Sequence, residues 1–288
     1  MGRRVKPAPI GVYDSGFGGL TVLRELSRAL PRAEFVYLGD AGRAPYGGRD
    51  ADVILSLAEQ CVERLFSEGC RVVVVACHTV SSVALRHLQA RYTGPGQERA
   101  VLGVTIPAAE LAVDHVSTRG GRIAFIATAR TVASGTFTTE CHKLAPVAVV
   151  ERAAPLLAPI VEEGWETSDV ARLAVRRYLD GLDAQVVVLG CTHFPLLREA
   201  FEAATDCPVL DPAPFVAARL VDWLTRHPDF TVAEGEPRFL STGDPDAFAT
   251  HGSRFLGAPV TTVQHVAETA GRLEPAARVV PRGQVVRA

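Results

Sequence analysis

The fold of this chain is indicated first by residues 72–79, which read Val72-Val73-Val74-Val75-Ala76-Cys77-His78-Thr79. A second stretch of the same kind occupies residues 186–193, Val186-Val187-Val188-Leu189-Gly190-Cys191-Thr192-His193. Each begins with a β-branched run typical of a buried parallel strand, and each leads into a predicted helix. A thiol at that junction lies at the carboxyl end of a strand, where open α/β sheets bind ligands, and the N–H groups of the helix favour its thiolate.

Strand and helix patterns alternate along most of the chain outside these two stretches. Strands are predicted at residues 10–13, 34–38, 72–76, 100–104, 123–127, 147–150, 186–189, 238–241 and 260–263. Helices are predicted at residues 20–30, 51–67, 80–91, 107–116, 168–179, 195–204, 214–225 and 246–255. This rhythm indicates an α/β fold with mainly parallel sheets and helices on both faces.

The two halves of the chain form an internal repeat with an offset of about 114 residues. The offset relates Cys77 to Cys191 and Pro45 to Pro159, and an offset one residue shorter relates Asp14 to Ala127. Two similar α/β lobes are therefore predicted, with the site in the cleft between them. The segment after Pro212 has no partner in the repeat and is expected to return to the first lobe. The predicted lobes are residues 1–106 plus 214–288, and residues 107–213.

Composition narrows the class of protein. The 288 residues are 48% hydrophobic and 22% charged, which is typical of a globular chain, and the net charge of −2 without long single-sign runs argues against nucleic-acid binding. No apolar stretch approaches the ~18 residues of a membrane span, and residues 1–9 lack a signal-type apolar core, so the cytoplasm is expected. The only lysines are Lys6 and Lys143, which argues against pyridoxal phosphate as cofactor. Six cysteines without a C-x-x-C pair are read as reduced thiols.

Three polar motifs follow predicted strands. The first, Asp14-Ser15-Gly16-Phe17-Gly18-Gly19, differs from the dinucleotide pattern, and its leading acid would repel a pyrophosphate. It is expected to place a carboxylate and a hydroxyl at a strand tip, although Ser15 could simply cap a helix. In the second, Arg43-Ala44-Pro45-Tyr46-Gly47-Gly48, the Tyr46 hydroxyl and backbone N–H groups could meet a carboxylate, or form an ordinary turn. In the third, Thr128 and Thr131 could cap a helix, bind an anion, or do both.

The paired cysteines indicate acid–base chemistry more strongly than any single cysteine would. Four others, Cys61, Cys70, Cys141 and Cys207, are interpreted as small buried hydrophobic residues. Racemising an amino acid at Cα needs one base to remove a proton from one face and an acid to return one on the other. Two facing thiols, one of them ionised, can do both near neutral pH. The carbanion would be stabilised by hydrogen-bond donors at the substrate carboxylate.

Five motifs in order make the chain similar to a known family. They are Asp14-Ser15-Gly16-x-Gly18-Gly19, Pro45-Tyr46-Gly47, Ala76-Cys77-x-Thr79, Thr128-x-x-Thr131 and Gly190-Cys191-Thr192-His193-x-Pro195. Together they resemble the cofactor-independent aspartate/glutamate racemases of the glutamate racemase type. The resemblance implies two lobes with the site between them, conversion of L-glutamate to D-glutamate for peptidoglycan, no cofactor and no metal, and often a homodimer.

The resemblance also assigns roles to individual residues. The two bases fall on Cys77, acting on D-glutamate, and Cys191, acting on L-glutamate. Asp14 and His193 match groups that assist the neighbouring thiols, and Glu162 matches a further assisting carboxylate. Substrate contacts are expected from eleven residues, namely Asp14, Ser15, Pro45, Tyr46, Gly47, His78, Thr79, Thr131, Cys191, Thr192 and His193.

One position departs from the family, because His78 stands where asparagine is usual. A neutral imidazole offers a donor and an acceptor as asparagine does, whereas an imidazolium only donates and would lower the pKa of Cys77. We therefore expect activity with an altered pH dependence, which a His78→Asn variant would change.

Three alternatives stay open. An aspartate racemase is disfavoured by Thr192-His193-Phe194-Pro195, since those enzymes more often carry an acid after the threonine. A metal site built from Cys77, His78, Cys191 and His193 is disfavoured because its cysteines and histidines are adjacent. A catalytically silent binding protein on the same scaffold would bind glutamate without exchanging its Cα proton.

Overall fold

Two mainly parallel β-sheets form the framework of the molecule. The structure is a computed structural model that describes residues 6–94, 98–116 and 121–276. The first sheet contains β1 (Ile10–Asp14), β2 (Phe35–Gly39), β3 (Val72–Val75), β4 (Ala100–Gly103), β9 (Arg238–Ser241), β10 (Val263–Thr269) and β11 (Arg272–Pro275). The second contains β5 (Arg122–Ala127), β6 (Ala148–Ala153), β7 (Val186–Gly190) and β8 (Val209–Leu210). All pairings are parallel except that of β10 with β11.

The strand orders show the internal repeat directly. The first sheet runs β11-β10-β9-β2-β1-β3-β4, and the second runs β6-β5-β7-β8. The order β2-β1-β3-β4 is therefore repeated as β6-β5-β7-β8, with β3 and β7, the strands before the two cysteines, in equivalent places. The predicted α/β fold with two similar lobes is confirmed. Below, the first lobe is the one built on the seven-stranded sheet, and the second lobe is the one built on the four-stranded sheet.

Twelve helices cover the two sheets in the described part of the chain. They are α1 (Leu20–Ala29), α2 (Ala51–Ser67), α3 (His78–Val83), α4 (Leu85–Tyr92), α5 (Thr105–Val116), α6 (Ala129–Ser134), α7 (Thr136–Leu144), α8 (Leu157–Glu162), α9 (Asp169–Leu179), α10 (Arg198–Glu202), α11 (Ala213–Arg226) and α12 (Pro245–Leu256). Short 3-10 turns occupy Ala41–Arg43 and Phe194–Leu197.

The structure corrects several predicted elements. The helix predicted at residues 80–91 is split into α3 and α4 at Ala84, whose φ of −110° leaves the helical range. The helix predicted at 195–204 begins as a 3-10 turn. The strand predicted at 260–263 is wrong: the N–H of Val260 donates to Ser253 Oγ in the turn that ends α12, and pairing with β9 starts only at Val263. Sequence patterns missed α6, α7, α8, β8 and β11.

One hydrophobic core runs through both lobes. Its largest cluster joins Val12 and Tyr37 of the first sheet to Ile126 and Leu189 of the second, all of them buried. Strands β9 to β11 extend the first sheet beyond β2, and α11 packs against α1. The exact limits of the lobes remain a prediction, and residues 277–288 of the predicted first lobe lie outside the described residues.

In the part of the chain that the structure describes, no helix combines the length and the apolar character needed to cross a bilayer.

Candidate active site

A cavity of about 220 Å³ lies between the carboxyl ends of the two sheets. Its walls follow β1, β2 and β3 of the first sheet and β5, β6 and β7 of the second, which are the edges where parallel sheets bind ligands. The predicted site residues that line it are Ser15, Pro45, Tyr46, Gly47, Cys77, His78, Thr79, Glu162, Cys191, Thr192 and His193. Of the predicted site residues, only Asp14 and Thr131 do not line the cavity, and both are buried.

Cys77 is the residue at which β3 turns into α3. Its side chain is 5% exposed, and its Sγ donates a hydrogen bond to Ser15 Oγ at 3.5 Å. Burial, and after it the negative charge of Asp14, raise the pKa of this thiol to about 12, although the N–H of Val80 in the first helical turn opposes the shift. The helix terminus does not outweigh burial, so Cys77 is a protonated thiol at neutral pH.

Cys191 has a different neighbour at the end of β7. Its Sγ lies 3.8 Å from Nδ1 of His193, and Nε2 of that ring lies 3.0 Å from Oε1 of Glu162. Burial alone would lower the pKa of His193, but the hydrogen bonds with Cys191 and Glu162 prevail and raise it to about 10. The same bond lowers the pKa of Glu162. An imidazolium therefore sits between a carboxylate and a sulfur, an arrangement that in general stabilises a thiolate.

Asp14 does not line the cavity, but it contacts Thr192, which does. It is fully buried, and its carboxylate accepts hydrogen bonds from the N–H of Gly16 at 2.9 Å and the hydroxyl of Thr192 at 3.5 Å. Burial raises its pKa, and the charge of His193 and these hydrogen bonds oppose that rise. The expected carboxylate at the strand tip is therefore present, and Thr192 from the second lobe and the glycine loop partner it.

The glycines after β1 allow the lobes to meet closely. A Cβ at Gly18 would overlap the side chains of Thr192 and His193, and one at Gly19 would lie 2.5 Å from the Cβ of Asp14. A side chain at Gly18 would displace His193 from Cys191, so this glycine serves the close approach of the two lobes, whereas Gly19 makes room for Asp14 within the first lobe.

Three threonine hydroxyls from both lobes form a triangle at the side of the cavity. Thr79 Oγ1 lies 3.0 Å from that of Thr128 and 3.1 Å from that of Thr131, which are themselves 2.9 Å apart. Thr128 also caps α6 by accepting from the N–H of Thr131. Thr128 lines the cavity but was not among the predicted site residues; its place at the strand-to-helix junction was the signal that could have identified it. Each hydroxyl has a single O–H, so an anion would take a donor from the triangle only by replacing one of these mutual bonds.

The tyrosine of the second motif does not act as predicted. Tyr46 lines the cavity, but its hydroxyl is buried, donates to Asp40 and accepts from Tyr13 at 3.2 Å. That hydroxyl is therefore not available to a bound carboxylate, and the loop presents its backbone instead.

His78, the residue that departs from the family, is buried without a hydrogen-bond partner at Nδ1. Burial lowers its pKa to about 4, so its ring is neutral near neutral pH. The expected effect of an imidazolium on Cys77 is thereby confined to acidic conditions. Across residues 6–94, 98–116 and 121–276, no group of three or more histidine, cysteine or acidic side chains is arranged to hold a metal ion.

Comparisons with known proteins agree on one family. Residues 21–220 match the family described as Asp/Glu/Hydantoin racemase. A glutamate racemase from Dinoroseobacter shibae is 38% identical over 271 residues, which cover 86% of this chain and 95% of that protein. One from Geobacter metallireducens is 36% identical over 266 residues, covering 89% and 96% of the two chains.

Solved structures give the same result. Glutamate racemase from Francisella tularensis in complex with D-glutamate superposes with a TM-score of 0.83 at 28% identity, covering 90% of this chain and 97% of that one. The enzyme from Thermus thermophilus in complex with β-chloro-D-alanine has a TM-score of 0.78 at 37% identity, covering 91% and 98%. With its repeated sheets, paired cysteines and these relatives, the chain belongs to the Asp/Glu/hydantoin racemase family.

Proposed function

We propose that this protein is a glutamate racemase that interconverts L- and D-glutamate by proton transfer at Cα, without a cofactor. The observation that carries the proposal is the pair Cys77 and Cys191, which follow equivalent strands of the two repeated sheets and line one cavity. Relatives named glutamate racemase, matched over most of their length, support the choice of substrate.

The two sulfurs have opposite roles in the proposed mechanism. For L-glutamate, Cys191 as thiolate takes the Cα proton, and Cys77 as thiol gives its own proton to the opposite face of the carbanion. The product is D-glutamate, and the enzyme is left with a Cys191 thiol and a Cys77 thiolate. Conversion of D-glutamate runs through the same steps in reverse, so the exchange balances in both directions.

Charge on the carbanion has to be stabilised at the substrate carboxylate. Thr79 of the first lobe and Thr128 and Thr192 of the second all line the cavity, and the hydroxyls of Thr79 and Thr128 lie 3.0 Å apart. Preorganised donors of this kind stabilise an enolate-like carboxylate in a water-poor site. The imidazolium of His193 adds positive charge near Cys191.

Deuterium exchange tests the function. In heavy water, the wild-type protein should incorporate deuterium at Cα of both glutamate enantiomers and interconvert them, because each sulfur exchanges its proton with solvent between turnovers. Cys77→Ser and Cys191→Ser should each lose about 10²-fold or more of the racemisation rate. Cys141→Ser is the matched control, because Cys141 is buried in the core of the second lobe and does not line the cavity.

Other outcomes of that assay would replace the proposal. Preference for aspartate would identify an aspartate racemase. Glutamate binding without any deuterium incorporation would identify the silent binding protein. Equal loss of activity in the Cys141→Ser control would show that the effects of the cysteine substitutions are structural.

The biological setting is part of the proposal. We infer a supply of D-glutamate for peptidoglycan in the cytoplasm, by a homodimer. Large apolar side chains exposed on the second lobe, Leu156, Trp165, Val170 and Leu173, offer surface for a second copy. Rescue of a D-glutamate auxotroph tests the metabolic role, and sedimentation velocity tests the dimer.

A further inference from the structure

Residues 44–50, here called the substrate loop, are anchored from within the first lobe. The carboxylate of Asp40 is fully buried and accepts hydrogen bonds from the Tyr46 hydroxyl, from Arg43 Nε at 2.8 Å and from the Thr242 hydroxyl at 2.7 Å. All of these residues belong to the first sheet and its connections. This inner anchor keeps the loop fixed to the first lobe in any relative motion of the lobes.

A second anchor reaches the same loop from the second lobe. Arg130 in α6 donates its backbone N–H to the carbonyl of Gly47 at 2.9 Å, and its Nε to the carbonyl of Arg49 at 2.6 Å. Its guanidinium also pairs with Asp50 at 3.3 Å. Three contacts of one residue therefore span the cleft and converge on the substrate loop.

The reactive groups lie in a nearly closed chamber. Cys77 and Cys191 are only 5% and 8% exposed, and the substrate loop forms part of the wall around them. An amino acid must enter and leave this chamber on every turnover. Contacts that hold the substrate loop to the second lobe can break for this without disturbing the apolar cluster that joins the lobes, and those of the inner anchor need not break.

The second anchor, formed by Arg130, is weak enough to open repeatedly. Asp50 is 90% exposed, so its ion pair with Arg130 is screened by water and contributes little. The single hydrogen bond from the charged guanidinium to the carbonyl of Arg49 contributes more, because a charged donor strengthens it. Their sum is small compared with the stability of a lobe.

We propose that Arg130 is a positioning residue that latches the substrate loop from the opposite lobe, holding the cleft closed during proton transfer and releasing it for substrate exchange. The proposal rests on the proposed function, because the loop acts on substrate only if the cavity binds an amino acid. The latch itself is a property of the unliganded protein and can be measured without turnover.

The test compares three variants of the full chain. Arg130→Met removes the side-chain contacts and keeps the backbone bond to Gly47, and Arg130→Lys keeps the charge opposite Asp50. Arg198→Met is the matched control, because Arg198 also binds a carboxylate (Glu202, 3.0 Å) and a carbonyl (Val209, 3.1 Å), but within the second lobe and away from the cavity.

The amide exchange rates of the substrate loop and the KM for glutamate are expected to change together. By hydrogen–deuterium exchange without substrate, amides of the substrate loop should exchange roughly three- to tenfold faster in Arg130→Met than in wild type, and be unchanged in Arg198→Met. The KM for both glutamate enantiomers should rise by roughly the same factor with a smaller change in kcat, and Arg130→Lys should recover part of the loss.

Unchanged loop exchange in Arg130→Met would overturn the latch. Faster exchange with an unchanged KM would overturn its role in substrate binding, and an equal effect of Arg198→Met would reduce it to general stability. A wild-type protein without racemase activity would refute the proposed function, while the exchange measurement would still decide the latch.

Discussion

At the scale of residues, the two cysteines differ in what lies beside each sulfur. Cys77 has a carboxylate behind it and a serine hydroxyl in contact, and burial keeps it protonated. Cys191 has an imidazolium that a carboxylate holds in place. The strand-to-cysteine junction is repeated, so the asymmetry arises from the side chains that surround each sulfur, most of which come from distant parts of the chain.

The hydrogen-bonded series Cys191–His193–Glu162 gives a prediction about how stability depends on pH. His193 has a pKa of about 10 in the folded protein and about 6.5 when unfolded, so its contribution to stability is fully present below pH 6.5 and is lost as the pH rises through 10. In Glu162→Gln we expect the His193 pKa to fall towards its ordinary value, by NMR titration of the ring. The stability deficit of the variant should therefore shrink as the pH rises from 6.5 to 10.

The neighbouring carboxylate provides the control for this experiment. Glu163→Gln makes the same charge change one residue away, on an exposed side chain, and should leave the titration of His193 as in wild type. If Glu162→Gln and Glu163→Gln gave the same His193 pKa, the hydrogen bond to Glu162 would not be its cause. Because Glu162 is 45% exposed, the stability difference should be about 1 kcal/mol or less.

For His78, stability is predicted to change with pH in the opposite direction. Its folded pKa of about 4 lies below the unfolded 6.5, so its contribution to stability is present above pH 6.5 and is lost as the pH falls towards 4. Relative to wild type, His78→Asn should gain about 3 kcal/mol of unfolding free energy between pH 7 and pH 4, measured by urea titration. Its pH–rate profile should match wild type near neutrality and differ only in the acid limb.

An exposed histidine serves as the reference for that series. His87 is half exposed, and His87→Asn makes the same substitution outside the core, so an equal pH-dependent gain in this variant would show that the effect does not come from the buried site. An acid limb and a pH-dependent stability of His78→Asn that both coincide with wild type would show that burial does not hold His78 neutral. The altered pH dependence expected from the sequence would then have no physical basis.

Residue identities could be predicted from the sequence better than residue environments. The cysteines, His193 and Glu162 were placed from motifs, and they meet at one cavity. The turn of the Tyr46 hydroxyl towards Asp40 and the burial of Asp14 against Thr192 were missed. Both depend on contacts between segments distant in the chain, and spacing within one motif carries no information on them.

At the scale of elements, strands were predicted well where a β-branched run is buried on both faces. The four valines of β3 and the apolar run of β7 are fully buried in the middle of their sheets. Short helices such as α6 and α8 were missed, since six residues are too few to show a helical period. Strand β11 is a polar edge strand held by one partner, which leaves no apolar pattern to recognise.

The glycine-rich loop shows how an element acquires a role that its motif does not state. The sequence indicated a turn that lets a small ligand approach the backbone. In the structure, Gly18 instead admits Thr192 and His193 of the opposite lobe. The motif therefore fixes the distance between the lobes, and through His193 it also sets the environment of Cys191.

At the scale of the whole molecule, the repeat explains how two thiols come to line one chamber. Equivalent strands in equivalent sheets end in cysteines, and the two sheets share one core instead of meeting across water. The offset between the halves was readable in the sequence because it recurs at several positions. The continuity of the core was not, since apolar patterns show which faces are buried but not against which lobe.

The shared core predicts that both lobes unfold together. The two tryptophans report on different regions: Trp223 lies on α11, which packs against α1 of the first lobe, and Trp165 follows α8 in the second. Trp165→Phe and Trp223→Phe each leave one reporter. Urea titrations of the two variants, followed by fluorescence and by far-UV circular dichroism, should give coincident midpoints, because separating the lobes would expose the apolar cluster that joins them. Two well-separated midpoints, with circular dichroism tracing both steps, would mean that each lobe is stable alone and that the contacts across the cleft add little.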